Sequence, residues 1–103
     1  MFKVSVMYPN IEGALFNCEY YLKTHIKLVE KNMKSFGLVK TEVEKGLPDG
    51  EGHPPIYICV GHLYFDKIDG YIRGIAEKGS ILRGDIANFT NISPVRQFSE
   101  ILT

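Results

Sequence analysis

The stretch IYICVGHLYF, residues 56–65, decides the architecture. It is the strongest strand in the chain, rich in β-branched and aromatic residues. Period-two alternation puts Ile56, Ile58, Val60, His62 and Tyr64 on one face and Tyr57, Cys59, Gly61, Leu63 and Phe65 on the other. Neither row is made for water, so both sides of this strand need cover. One side can take helices; the other would leave an apolar patch, and such patches mark interfaces.

Working outward, GLPDGEGHPP (46–55) is a glycine- and proline-rich loop, long for a hairpin connection. Before it, LVKTEVEK (38–45) reads as a strand with a thin apolar face. FKVSVMY (2–8) alternates as a strand, with Phe2, Val4, Val6 and Tyr8 on one side, and Pro9-Asn10 ends it. Between these two strands, NCEYYLKTHIKLVEK (17–31) reads as a helix running to about Phe36. Asn17 suits its N-cap, Glu19 its first turn, and Gly37 its C′ position. Its apolar stripe carries Cys18, Tyr21, Leu22, Leu28 and Val29, with His25 in the middle.

After the central strand, Asp66 is the expected cap of a second helix, with Asp69 at N3. Ile68, Tyr71, Ile72, Ile75 and Ala76 form its stripe. Gly70, Gly74 and Gly79 each cost it up to ~1 kcal/mol. A looser helix is expected, broken at Gly79 and resumed over 80–86. A last strand is expected over 90–101, where Pro94 argues for an edge or a bulge. The order β-α-β-β-α-β is the ferredoxin-like arrangement, an α+β fold. Its four-stranded antiparallel sheet takes two helices on one face. The uncovered face predicts a homodimer in which two sheets pack together, driven by apolar burial at ~25 cal/mol per Å².

The 103 residues favour one domain over 1–103. Twelve basic residues balance twelve acidic ones, without the basic footprint of a nucleic-acid binder. Cys18 and Cys59 are too few for a disulfide framework and sit in apolar patterns. No stretch approaches the ~18 apolar residues of a membrane helix, and MFKVSVMYP does not read as a signal peptide. The expected location is cytoplasmic. Histidines at 25, 53 and 62 show no metal-ligand spacing, and no metal or cofactor is expected.

The stretches KVSVMYPNIEGALFNCEYYLKTHIKLV (3–29), VEKGL (43–47), GHLYFD (61–66) and DIANFTNISPV (85–95) together resemble the EthD family. That family is named for ethyl tert-butyl ether degradation and belongs to the dimeric α+β barrel superfamily. The resemblance spans nearly the whole chain and implies the same fold and dimer. It also implies a ligand between sheet and helices. Three positions depart from the family pattern. His25-Ile26-Lys27 stands where a proline usually closes the triplet, no histidine lies near Lys78, and Ala87 replaces a proline. The second departure weakens any mechanism that needs two imidazoles at that end of a pocket.

His25 matches the family's most recognisable polar position. As a site residue it would be an acid/base group in an apolar wall, since imidazole titrates near working pH; as a packing residue it would be a hydrogen-bonded core ring. His62 is either a sheet residue at the dimer seam or a second catalytic group facing His25. Strand parity ties it to Tyr64, whichever face they share. Tyr8, Tyr21 and Tyr64 are candidate ligand-binding phenols, and Asp85 is a candidate to orient a histidine or cap a turn. Asn32 could line the same channel, and His53 is expected in solvent. The leading expectation is a small dimeric protein that binds a small apolar, aromatic or polyketide-like metabolite. Its chemistry would be cofactor-free acid/base work of a cyclase or dehydratase kind, with His25 as principal group. The alternatives are a non-catalytic accessory protein for a hydrophobic or haem-like ligand, or an assembly module with a filled core.

Overall fold

The computed structural model describes all 103 residues, Met1–Thr103. Four strands, β1 (Phe2–Pro9), β2 (Leu38–Lys45), β3 (Tyr57–Phe65) and β4 (Val95–Glu100), form one antiparallel sheet in the order β2-β3-β1-β4. Two helical segments cross one face, giving the ferredoxin-like α+β fold expected from the residue pattern. The sheet is open and does not close into a barrel within one chain. The molecule measures 41 × 34 × 19 Å. Its thin dimension matches one sheet and one helix layer, about 10 Å each.

β3 is central because both its faces are apolar. Its register sets Leu63 opposite Val4, Gly61 opposite Val6 and Cys59 opposite Tyr8 on the helix side. The uncovered side carries Tyr64 opposite Lys3, His62 opposite Ser5 and Val60 opposite Met7. This side is more polar than β3 alone suggests. β2 lays Lys40, Glu42 and Glu44 beside Tyr64, His62 and Val60. Tyr64 Oη donates to Glu42 Oε1 at 2.6 Å, and Lys40 Nζ stands 4.6 Å from the Tyr64 ring centroid. The expected apolar patch is therefore crossed by a polar row. A strand's cross-strand partners set its polarity as much as its own residues do.

Asn17 caps the first helix as expected, its Oδ1 accepting from Tyr20 N at 3.0 Å. The segment is not one uniform α-helix. It is α-helical over Cys18–Tyr20, π-helical over Tyr21–His25, α-helical again over Ile26–Met33, and 3-10 over Lys34–Phe36. Gly37 ends it in the left-handed region at φ 94°. The π turn shifts the buried stripe. Tyr21, His25, Ile26, Val29 and Met33 are buried, whereas the expected Leu22 is 48% exposed. The wider π turn adds a residue, which rotates Leu22 outward and aligns Tyr21 with His25.

The second helix runs unbroken over Ile68–Ile86, so the expected break at Gly79 does not occur. Gly70, Gly74 and Gly79 are buried. A methyl group at Gly74 would stand 2.5 Å from Met33 Cε, and one at Gly70 would run into the Phe36 carbonyl. The lost helix propensity is offset by close helix–helix contact. Asp66 does not cap this helix: Lys67 takes the N-cap without a side-chain bond. Asp69 pairs with Arg73 at 2.8 Å instead of closing a capping pair. The last strand is shorter than expected, since Pro94 delays pairing to Val95. Thr90 makes only an isolated bridge to Phe16. β4 is an edge strand, as a nearby proline requires.

The core falls into two groups. Val4, Val29, Met33, Leu63, Phe65, Tyr71 and Leu82 form one; Tyr8, Tyr21, Ile26, Cys59, Phe89 and Ile92 form the other. Residues of both line a single cavity between the sheet and the second helix.

Candidate functional site

His25 reaches that cavity from the π turn of the first helix. Its ring is stacked on Tyr21, with centroids 5.6 Å apart and planes inclined by 18°. Phe89 packs against it at 4.6 Å. The Tyr21 hydroxyl occupies the space where a Gly61 side chain would stand, so that glycine admits the phenol to the sheet. The packing fixes the imidazole plane, and a carboxylate fixes its rotation.

That carboxylate is Asp85, near the end of the second helix. Its Oδ2 lies 2.8 Å from His25 Nδ1, and its Oδ1 accepts from Tyr20 Oη at 2.6 Å and Asn88 Nδ2 at 2.9 Å. Burial raises the Asp85 pKa, but the bonds from Tyr20, Asn88 and His25 outweigh it and hold the carboxyl below its ordinary value. An ionised carboxylate only accepts, so His25 Nδ1 carries the donated proton. Nε2 makes no bond within the chain and is not sealed from solvent. In the neutral ring that nitrogen is a free acceptor.

The cavity measures about 590 Å³, within the ~300–1,000 Å³ of small-molecule sites. Nine of its thirteen lining residues are hydrophobic, which suits an apolar guest. Val6, Tyr8 and Leu63 form its floor, Tyr71, Ile75, Leu82 and Ile86 its helical wall, and Phe98 and Arg96 its β4 side. Burial lifts the Tyr8 phenol well above its usual range, so it stays a neutral hydroxyl.

Of the sequence-derived candidates, His25 and Tyr8 line this cavity. Tyr21 and Asp85 stand behind His25 as packing and hydrogen-bonding supports. His62 and Tyr64 lie on the other face of the sheet, so His62 does not face His25 across the cavity. His62 also has no free nitrogen: Nδ1 bonds Ser5 Oγ at 2.9 Å and Nε2 bonds Glu44 Oε1 at 2.8 Å. Asn32 turns back to the Leu28 carbonyl at 2.8 Å and does not line the channel. His53 is exposed and pairs with Asp49. No three His, Cys, Asp or Glu side chains gather as a metal-binding group. Sequence reasoning missed Tyr20, Asn88, Phe89, Arg83 and Arg96. Tyr20 comes from the first helix and Asn88 and Phe89 from segment 85–95; Tyr20 and Asn88 donate to Asp85 and Phe89 packs on the His25 ring, a grouping that only the tertiary contact reveals. Segment 85–92 is tied to the loop before the first helix: Asn17 N donates to Phe89 O at 2.8 Å and Thr90 Oγ1 to Leu15 O at 2.6 Å.

An EthD-like protein of Ralstonia eutropha JMP134 is 35% identical over 99% of this chain and 92% of its own, with a TM-score of 0.93. The chain belongs to the EthD family. An EthD family protein of Bacillus halodurans C-125 is 19% identical, covering 99% of both chains, at TM-score 0.76. A dimeric ferredoxin-like protein from an uncultured marine organism is 13% identical over 100% of this chain and 96% of its own, at 0.54. These two likenesses speak to the fold alone. No protein-family model matches the sequence, and no curated protein is significantly similar to it. In this EthD chain, His25 and Asp85 fall inside stretches that carried the family resemblance, one in segment 3–29 and one in segment 85–95.

Proposed function

We propose that this EthD protein is a single-domain homodimer that binds a small, largely apolar metabolite in the cavity between its sheet and helices. His25 acts there as an acid/base or hydrogen-bonding group. The observation that carries this reading is the oriented imidazole: Nδ1 held by Asp85 at 2.8 Å and Nε2 left without a partner in an apolar cavity wall. Such a nitrogen can accept a proton from a guest and return it, which suits a cofactor-free cyclisation or dehydration. Asp85 positions the ring and balances the charge that protonation creates.

The dimer reading rests on the uncovered sheet face and draws support from the ferredoxin-like marine protein of similar fold, which is described as dimeric.

 The half-buried Met7, Ile58 and Val60 give that face its apolar ground, and Glu42 and Glu44 already satisfy Tyr64 and His62 there. Two free cysteines, Cys18 and Cys59, support a reducing, cytoplasmic setting.

A non-catalytic reading is favoured by one specific observation: no second imidazole or carboxylate lines the cavity beside His25. The protein would then hold or deliver its guest unchanged. Native mass spectrometry of the purified dimer, searching for a retained small molecule, supplies the substrate for the deciding assay. Turnover that disappears in His25→Ala, with the dimer intact, supports catalysis. Full turnover in that variant removes His25 from the chemistry, and binding without any conversion selects the accessory role.

A further inference from the structure

Two of the chain's three arginines line the cavity, and neither has a carboxylate partner. Arg73, the third, is paired with Asp69. The remaining ion pairs use Lys23, His25, Lys27, Lys40, His53 and His62. Arg96 stands opposite Val6 in the β1–β4 register, so it leaves the edge strand on the helix side. Arg83 leaves the last turn of the second helix. Both are exposed residues that also line the cavity, which places them at its mouth.

The Arg83 side chain folds back along its own helix toward Gly79. A methyl group at Gly79 would stand 2.5 Å from Arg83 Nη1. The guanidinium therefore folds back over bare backbone, at a buried position that itself lines the cavity. Alanine at this point of a 19-residue helix would raise helix propensity by up to ~1 kcal/mol. The glycine forgoes that and leaves room for the cation. The positive field of the arginines is felt inside. Burial raises the pKa of Tyr71 and Tyr8, while Arg96 acts in the opposite sense on both and Arg83 on Tyr71.

We propose that the cavity selects an organic anion, with an apolar ring against Tyr8, Tyr71 and Phe98 and a carboxylate held by Arg83 and Arg96. The proposal rests on the reading of the cavity as a ligand site and names the class of ligand. A guanidinium presents paired donors that match a carboxylate's two oxygens, and the apolar walls strengthen the contact by excluding water. A neutral guest of the same shape would leave both cations without a counter-charge.

The test titrates the full-length protein with 2-naphthoate and with its neutral amide, by calorimetry and by methyl NMR of Val29 and Leu82. The expected result is binding of the carboxylate about tenfold tighter than the amide, the size of a charge-assisted hydrogen bond. Arg83→Gln and Arg96→Gln should each erase most of that difference, weakening the carboxylate far more than the amide. Gly79→Ala should also weaken carboxylate binding, although it raises the melting temperature. Equal affinity for the two probes overturns the anion preference and leaves the ligand-site reading standing. Carboxylate binding that ignores both arginine variants overturns it too. If neither probe binds and the Val29 and Leu82 methyl signals do not move, the ligand-site reading falls with it.

Discussion

Asp85 and His25, sixty residues apart in the chain, meet with Oδ2 2.8 Å from Nδ1, and both side chains are about nine-tenths buried. One comes from the end of the second helix and the other from the π turn of the first. The contact fixes which ring nitrogen is protonated, and so which one faces the cavity.

Replacing Asp85 by alanine leaves Tyr20, Asn88 and His25 without their shared acceptor. The expected loss of stability is about 1–3 kcal/mol at neutral pH, measured by urea unfolding. The folded carboxyl titrates below its ordinary value, so the unfolded chain binds the proton more readily. Asp85 thus adds stability above the unfolded pKa, about 3.9, and that contribution fades as pH falls through the lower folded value. The deficit of Asp85→Ala should be constant above about pH 5 and shrink below about pH 4. A deficit independent of pH in this range contradicts the assigned ionisation.

Alkaline pH should destabilise the fold through buried acids. Burial pushes the Cys59 thiol up to about 12, and it raises the Tyr8 and Tyr21 phenols as well. For raised groups the stabilising contribution is complete below the unfolded pKa and is lost as pH rises toward the folded one. For Cys59 that window opens near pH 8.5 and closes near 12; the tyrosines add to it above about 10. Urea midpoints should fall steadily from pH 8.5 upward, and Cys59→Ser should flatten the first part of the fall. A flat profile to pH 11 would contradict the burial of these groups.

Gly61→Ala should be among the most damaging single-methyl changes in the chain. The added carbon collides with the Tyr21 hydroxyl, and Tyr21 is wedged between His25 and Tyr8. Overpacking of this kind costs about 1–3 kcal/mol. The companion substitution Tyr21→Phe removes the colliding oxygen and should restore most of the loss. No rescue in the double variant would show that Tyr21 is not what fills the space at Gly61.

Val60→Glu tests the sheet-face dimer. Val60 stands between Met7 and Glu44 on the uncovered face, so a glutamate there would add a like charge beside Glu44. Sedimentation should report a monomer with unchanged far-UV circular dichroism. A dimer of unchanged affinity would place the interface elsewhere.

The strand order was legible because β3 is apolar on both faces and therefore belongs inside the sheet. Asn17 and Gly37 were legible as helix limits because their roles are local: a side chain accepting a nearby N–H, and a backbone at positive φ. The break expected at Gly79 failed for the opposite reason. Propensity counts what a glycine costs its own helix, whereas Met33, Phe36 and Arg83 lie where side chains at Gly74, Gly70 and Gly79 would otherwise stand. His62 shows the same division. Parity paired it with Tyr64, but only the assembled sheet put both on the face away from the helices and supplied Glu44 and Ser5 as partners.

Periodicity, caps and the apolar central strand are properties of neighbouring residues, so the chain's order of letters settled the element sequence, the ferredoxin-like topology and the oddity of His25 in an apolar stripe. The bonds of Asp85 with Tyr20 and His25 join residues sixty or more positions apart, and the cavity with the arginines at its mouth gathers side chains from both helices and three strands. Those contacts arise from how two helices pack on a sheet, and tertiary structure alone decided them.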